Sequence, residues 1–256
     1  MRHLIVEPCI YVDYRGFFSF VNQYLSACYY YRNDDVYVSF DLTKKSKYYD
    51  PSISDTENVW EYFFKVQAPE NVPIERAVWG QFGNRYSYTF DYNNLNDRIN
   101  AEEVINKHLL INPKILDKIN KFYDENFKGK KILGIHKRGT DIGLHHDVKS
   151  LNDYFNEVDN HIQNYDALFI STDERSVIDK FSERYENVIF NSYESLSTNP
   201  DLPNFLAPNV SGYKMGEDVL IDAYLLSKTD FLIQTNSNLS NFSLLANSKL
   251  NFKRIL

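Results

Sequence analysis

Three polar segments of this sequence each directly follow an apolar run, and two of them carry side chains suited to binding an anion. In the first, Gly134–Gly143, Arg138 stands beside a glycine at the end of the apolar run. A guanidinium offers a planar fork of donors that fits phosphate oxygens, and a glycine lets a diphosphate approach the backbone. Arg138 is therefore the first candidate for a diphosphate contact, and the alternative is a surface arginine at a strand end.

The second segment precedes the last predicted helix and is rich in hydroxyl and amide side chains. The N-terminus of a helix exposes backbone N–H groups and favours anions. One such side chain is enough to cap a helix, and this segment supplies several, which favours a further anion-binding element. Its candidate residues are Thr235, Asn236, Ser237 and Asn238.

The third segment, Thr172–Glu174, and the isolated Asp222 allow two interpretations each. Thr172–Glu174 ends an apolar run and opens a helix, where a cap by Asp173 or Thr172 with Glu174 on the first turn explains these residue types without a ligand. Asp222 lies within the apolar run Val219–Leu226, and a carboxylate buried there requires hydrogen-bond donors. A nucleobase edge would supply them, and so would neighbouring backbone or an arginine.

The motifs of several common catalytic sites do not occur in this sequence. There is no GxxxxGK[ST] phosphate loop, no GxGxxG fingerprint, no GxSxG elbow and no HExxH zinc pair. An Asp-x-Asp pair, which often holds a divalent ion beside a diphosphate, does not occur either. We therefore expect no metal ion and no cofactor, with arginine, lysine and helix dipoles neutralising the diphosphate.

Composition narrows the classes of protein that fit. The chain has 256 residues, 43% hydrophobic and 25% charged, with a net charge of −7, which suits a globular protein and disfavours nucleic-acid or anionic-membrane binders. Cys9 and Cys28 lie in apolar segments and are expected to be buried, reduced thiols. No signal peptide and no run of about 18 apolar residues is present, which predicts a cytoplasmic protein without a transmembrane segment.

The apolar periodicity predicts alternating strands and helices. In the N-terminal part we expect strands at 4–10 and 36–40, a long helix from Phe17 and a second amphipathic helix over Val59–Val66, whereas 68–100 has no clear pattern. In the C-terminal part we expect strands at 131–136, 167–171, 188–190 and 231–234. One helix is predicted to start at Asn112-Pro113. Four further helices are predicted at 150–163, 173–185, 217–227 and 239–247.

This alternation predicts an α/β protein with parallel sheets and two lobes, residues 1–111 and 112–256. Ligands of such sheets bind at the carboxyl ends of the strands. The three polar segments lie at these ends, so we expect them to come together at one site.

Taken together, the segments resemble the C-terminal lobe of the α-1,6-fucosyltransferase and nodulation fucosyltransferase group, and more distantly the protein O-fucosyltransferases. That family has a strand ending in His-x-Arg-x-Thr-Asp, then a Thr-Asp-Asp/Glu strand end, then an aspartate-bearing helix followed by a strand and a Thr-x-Ser turn. The matching residues in chain order are His136, Arg138, Thr140, Asp141, Thr172, Asp173, Glu174, Asp222, Thr235 and Ser237.

The resemblance implies a GT-B-like fold of two Rossmann-like lobes with the donor cleft between them. It implies an inverting, metal-independent transfer of L-fucose from GDP-fucose to a hydroxyl of an oligosaccharide or polysaccharide acceptor. His136 and Asp222 would read the guanine, and Arg138 would bind the β-phosphate. The other donor-binding candidates are Gly16, Asp173, Thr235, Asn236, Ser237 and Asn238.

Two features depart from the family pattern. The family often has a second basic residue after the motif arginine, where this chain has Gly139. Where the α-1,6 enzymes have a glutamate proposed as the base, this chain has His145 and His146. A neutral imidazole accepts a proton near pH 7, so either a histidine replaces the base or the base comes from the other lobe. With Arg138, these histidines and Asp141 are the catalytic candidates.

Two other interpretations remain open from the sequence. The same fold accommodates other donors, such as UDP-xylose, through a few changed base contacts. The second interpretation is a non-catalytic module that binds a nucleotide or a glycan. Measuring hydrolysis of the donor would distinguish an enzyme from such a binding module.

Overall fold

The computed structural model of the chain describes residues 1–8, 15–54, 56–79, 89–138, 149–198 and 210–255. Its internal contacts divide the chain into two compact units, Met1–Leu116 (unit 1) and Asp117–Leu256 (unit 2). The boundary falls inside a helix, α3, which spans Pro113–Asn126. Asn112 accepts a hydrogen bond from the backbone N–H of Lys114, as the Asn-Pro helix start predicts.

Unit 1 contains a three-stranded parallel sheet in the order β2-β1-β3. Its elements are β1 (Arg2–Glu7), α1 (Phe17–Tyr30), β2 (Val36–Phe40), β3 (Ile74–Val78) and α2 (Leu95–His108). The helix predicted over 59–66 is wrong, because only the 3-10 turn Val59–Tyr62 forms. The chain then extends so that Phe64 pairs with Ile111, which buries the aromatic side chains without a helix.

Unit 2 contains a five-stranded parallel sheet in the order β6-β5-β4-β7-β8. Its strands are β4 (Ile132–Lys137), β5 (Ala167–Thr172), β6 (Val188–Ile189), β7 (Phe231–Gln234) and β8 (Asn251–Arg254). Its helices after α3 are α4 (Leu151–Asp159), α5 (Arg175–Arg184), α6 (Gly212–Leu226) and α7 (Asn238–Ala246). The predicted α/β class with parallel sheets is confirmed.

Strands β4 and β5 are buried along their whole length, as expected for central strands of a parallel sheet covered on both faces. On one face, Leu133 and Ile135 pack in a core with Tyr154 of α4 and Phe181 of α5. On the other face, a side chain at Gly134 would meet Thr229, three residues after the end of α6, at 2.7 Å, so this close approach requires glycine. Helix α6 therefore covers the second face of the sheet.

Within the described ranges, no helix is long and apolar enough to cross a bilayer. Cys28 is buried in α1 as predicted, and burial raises the pKa of its thiol to about 12. Cys9 lies outside the described residues.

Candidate functional site

The strand order of unit 2 fixes where a ligand site should lie. The chain proceeds from β4 outward to β5 and β6, and then returns to the other side of β4 to form β7 and β8. The direction of winding therefore reverses between β4 and β7. In open parallel sheets, ligands bind outside the carboxyl ends of the strands at this reversal point.

Polar side chains occupy the carboxyl ends of the three central strands. His136 of β4 is in register with Ser171 of β5 and with Gln234 of β7. Because side chains alternate along a strand, and Ile135 points into the core under α4 and α5, His136 and its partners point to the α6 face. Asp222 of α6 is close enough to interact with Ser171. We call these four residues the strand-end cluster.

Several polar atoms of the strand-end cluster are buried without a hydrogen-bond partner. His136 is 4% exposed and Gln234 is 0% exposed. Nδ1 of His136, both amide atoms of Gln234 and Oδ1 of Asp222 are buried without a hydrogen-bond partner. Since about nine in ten buried polar groups in proteins are hydrogen-bonded, such a concentration marks a candidate site for a ligand or for ordered water.

Burial sets the charge states of two members of the cluster. It lowers the pKa of His136 to about 3, with the positive charges of Arg138 and Lys137 adding to the effect, so the imidazole is neutral at pH 7. It raises the pKa of Asp222 to about 8. The Ser171 hydroxyl opposes this rise and the carboxylate of Asp218 adds to it. Asp222 remains partly exposed, so the cluster reaches the surface at this side chain.

A second row of charges lies along α6 one turn before Asp222. Asp218 is 4% exposed and accepts a hydrogen bond from Lys214 at 2.7 Å. The Asn191 side chain lies 3.5 Å from the same carboxylate and also lowers the pKa of Asp222. Lys214, Asp218 and Asp222 are spaced four residues apart, which places them on one side of the helix.

The opposite sheet face carries a buried ion pair. Lys137 Nζ lies 2.9 Å from Oε1 of Glu174, and the two side chains are 7% and 13% exposed. The prediction that Thr172 or Asp173 caps the following helix is wrong, because α5 begins at Arg175 and Glu174 occupies the cap position. Glu174 makes no side-chain cap hydrogen bond, since its carboxylate pairs with Lys137.

The segment after β7 combines buried hydroxyls with exposed amides. Thr235 is buried and accepts a hydrogen bond from Tyr154 at 3.1 Å, whereas Asn236 and Asn238 are exposed. Ser237 occupies the cap position of α7 but makes no side-chain cap hydrogen bond. The N-terminus of α7 thus lies beside the end of β7, with its positive dipole end at the carboxyl edge of the sheet.

Arg138 directly follows β4 and is partly buried, two residues beyond His136. The candidates Asp141, His145 and His146, together with Gly139 and Thr140, lie outside the described residues. Gly16 belongs to unit 1, where it precedes α1. Its φ of −68° suits any residue and a side chain there would meet nothing within 4 Å, so neither backbone nor space requires glycine.

The structure is similar to several solved glycosyltransferase structures. The fucosyltransferase NodZ from Bradyrhizobium matches with a TM-score of 0.59 and 17% identity over 96% of this chain and 94% of that chain. POFUT1 in complex with GDP matches with a TM-score of 0.55 and 10% identity over 99% and 97%. A FUT1 mutant from Arabidopsis thaliana in complex with GDP matches with a TM-score of 0.57 and 9% identity over 99% and 70%.

The chain has a fucosyltransferase-like fold. At these identities the likeness is one of fold, and it confirms the GT-B-like α/β class. No protein-family model and no curated protein sequence matches the chain. The NodZ α-1,6-fucosyltransferase structures include one soaked with GDP-fucose and one co-crystallised with GDP.

Sequence reasoning brought His136 and Asp222 to the same site, and the structure adds neighbours that it did not assign. Gln234 and Ser171 were read only as strand-end residues, although their register with His136 places them in the cluster. The strand order decides this register, and a single sequence does not contain it. Among the described residues, no group of three or more His, Cys, Asp or Glu side chains is arranged to hold a metal ion.

Proposed function

We propose that this chain is a glycosyltransferase that moves L-fucose from GDP-fucose to a hydroxyl of an oligosaccharide or polysaccharide. The observation that carries the proposal is the strand-end cluster, whose buried polar atoms lack partners at the winding reversal of a fucosyltransferase-like sheet. Such a site fits a ligand with several hydrogen-bonding groups on a flat apolar ring. A nucleobase has this chemistry.

The guanine is read by His136 and Asp222. Neutral His136 offers one donor and one acceptor nitrogen, and burial keeps it neutral across the physiological range. The carbonyl oxygen of the Asp222 carboxyl accepts from an N–H group of guanine, and it keeps this role when the carboxyl is protonated. These two residues extend from different elements, β4 and α6, so a base between them contacts both sides of the site.

The diphosphate lies at the carboxyl edge between Arg138 and the start of α7. Arg138 provides charge-assisted hydrogen bonds, and Thr235, Ser237 and Asn238 surround a helix N-terminus that favours anions. Charge neutralisation in this arrangement comes from a guanidinium and a helix dipole, and no step needs a divalent ion. We therefore propose a metal-independent reaction.

The transfer inverts the configuration at C1 of the sugar. The acceptor hydroxyl attacks C1 as the bond from C1 to the β-phosphate oxygen breaks, and negative charge grows on the departing GDP. Arg138 stabilises that charge in the transition state. The proton of the acceptor hydroxyl passes to a base, for which His146 is the candidate, with His145 as its neighbour.

Donor turnover and nucleotide binding test the proposal together. We expect GDP and GDP-fucose to raise the thermal midpoint more than UDP or UDP-sugars, because a ligand of the native state stabilises it. We also expect slow release of GDP from GDP-fucose, unchanged by EDTA. Stabilisation by UDP but not GDP would replace the fucose donor with a uridine-linked one, and binding without turnover would indicate a binding module.

Strict dependence of turnover on Mg²⁺ or Mn²⁺ would contradict the arginine-based neutralisation. The control is GDP titrated in the presence and absence of EDTA, which separates a metal needed for binding from one needed for turnover.

A further inference from the structure

The proposed function makes no use of the ion pair between Lys137 and Glu174, although the pair lies at the carboxyl edge of the same sheet. Nζ of Lys137 is 2.9 Å from Oε1 of Glu174, and the two side chains are 7% and 13% exposed. Replacing so deeply buried an ion pair by apolar side chains of similar volume is often neutral or stabilising. A contribution to stability therefore does not by itself explain a lysine at the end of β4.

Glu174 is held in place without help from Lys137. It occupies the cap position of α5, a helix whose inner side packs in the core of unit 2. Its backbone N–H donates to Oγ1 of Thr172 at 3.2 Å, and its backbone pairs with that of Ser197. Glu174 is therefore a fixed point to which the side chain of Lys137 attaches.

The end of β4 is held unequally by its two neighbouring strands. On the β5 side the pairing extends to Lys137, whereas on the β7 side it stops one residue earlier, at His136. Lys137 is thus paired with one strand only, and it is the last paired residue before Arg138. Attachment of its side chain to Glu174 holds the peptide from which Arg138 begins.

Arg138 leaves β4 on the side of the sheet opposite to the ion pair. Side chains alternate along a strand, so Arg138 follows His136 to the α6 face while Lys137 points to the α5 face. Burial lowers the pKa of His136, and the charge of Arg138 adds to this effect more than that of Lys137 does. The guanidinium therefore lies on the side of the imidazole, in the proposed donor site.

We propose that Lys137 is a positioning residue, whose ion pair with Glu174 holds the end of β4 so that Arg138 points at the diphosphate. The inference rests on the proposed function and deepens it, because it makes the arginine contact depend on an ion pair on the other face of the sheet. Lys137 does not touch the donor in this arrangement, so its effect passes through Arg138.

The ratio of GDP affinity to GMP affinity measures the contact of Arg138 with the second phosphate, since the two nucleotides share the base, the ribose and the first phosphate. Calorimetric titration of both into the full chain gives this ratio. Lys137→Met keeps the length of the side chain but removes the ammonium. We expect it to lower the ratio about tenfold and to leave GMP affinity nearly unchanged.

The same substitution in an Arg138→Ala background separates positioning from a general loss of structure. With no guanidinium to direct, Lys137→Met should leave the ratio of the Arg138→Ala protein unchanged. Lys118→Met is the matched control, because Lys118 pairs at 2.7 Å with Glu217, another buried carboxylate of unit 2. It should leave the ratio at the wild-type value.

A second variant covers the case in which Lys137→Met does not fold because it leaves a buried carboxylate unpaired. Lys137→Met/Glu174→Gln removes both charges and should show the same fall in the ratio. Both nucleotides are titrated into one preparation, so a partly folded sample changes the stoichiometry and not the ratio.

A wild-type ratio of GDP to GMP affinity in either Lys137 variant overturns the inference and leaves the proposed function standing. A fall that persists in the Arg138→Ala background also overturns it, because the effect would then not pass through the guanidinium. An equal loss for GMP and GDP would show that the ion pair is structural only. Failure of the wild-type chain to bind GDP removes both the inference and the proposed function.

Discussion

The carboxyl edges of the two parallel sheets differ in how their polar groups are satisfied. In unit 1, Arg76 of β3 donates to Glu7 at 2.8 Å and to Asp41 at 2.9 Å, so the charges at that edge pair with one another. In unit 2, the edge contains the strand-end cluster, in which atoms of His136, Gln234 and Asp222 are buried without partners. The charges of the first edge pair with one another, whereas the second edge keeps buried polar atoms that are open to a ligand.

The polar side chains at the two edges therefore differ in the free energy that they contribute to folding. The Arg76 side chain is 56% exposed, so its ion pairs are screened by water and contribute little. The buried amide and imidazole of unit 2 are costly in the absence of a ligand. Polar residues whose burial costs stability are the ones expected to bind or react.

The largest expected effect comes from Arg138. Arg138→Ala should lower turnover of GDP-fucose on the order of a hundredfold, about 3 kcal/mol, because it removes a charge-assisted contact to the departing diphosphate. Arg138→Lys should restore only part of the rate, since an ammonium supplies the charge but not the planar fork. Arg184→Ala, an exposed arginine of the same unit, is the control and should be silent. Near-normal turnover in folded Arg138→Ala would place the diphosphate elsewhere.

The next effect concerns His146, a candidate that lies outside the described residues. His146→Ala should slow transfer at saturating donor by about a hundredfold, at the low end of what a general base contributes, without weakening GDP binding. Stopped assays of transfer, run beside GDP titrations, separate the two quantities. His161→Ala replaces a histidine that pairs with Glu157 and should leave the rate unchanged. A loss of GDP affinity equal to the loss of rate would assign His146 to binding.

Asp222 should produce a pH-dependent change in stability. Its pKa rises from 3.8 when unfolded to about 8 in the native state, so the native protein holds a proton that the unfolded chain releases. Stability from this group is therefore full below pH 4 and is lost as pH rises to about 8. Asp222→Asn does not titrate, so its thermal midpoint relative to wild type should increase from pH 5 to pH 9. Parallel pH profiles for the two proteins would contradict a buried, protonated carboxyl.

The smallest effect is expected in unit 1. Arg76→Ala should cost at most about 1 kcal/mol in the free energy of unfolding, because the ion pairs are exposed. It should change GDP affinity less than twofold. Urea unfolding and GDP titration measure these two quantities on the same preparation. A tenfold loss of GDP affinity would show that the edge of unit 1 takes part in donor binding.

The alternation of strands and helices in unit 2 could be predicted because its central strands are continuous apolar runs bounded by clear turns. The strand 231–234 was predicted with its observed bounds. The strands β3 and β8 were missed, since Ile-Glu-Arg-Ala-Val and Asn-Phe-Lys-Arg place charged residues on edge strands that face water. The apolar spacing of 59–66 suggested a helix, but tertiary pairing of Phe64 with Ile111 overrode it.

The candidate site was predictable in part for a similar reason. Asp222 stood out because a polar group in an apolar run requires a partner, and His136 stood out through the family resemblance. The ion pair of Lys137 with Glu174 and the unpartnered amide of Gln234 did not, because both depend on which strands are neighbours. The roles of Arg138, Gly16 and Asp173 stay predictions.

The position of bound GDP tests the central claim most directly. We predict that crystals soaked with GDP show the base between His136 and Asp222, beside Gln234, with the diphosphate at Arg138 and the N-terminus of α7. GDP bound with its base away from the strand-end cluster, under conditions in which calorimetry records one saturable site, would contradict the account.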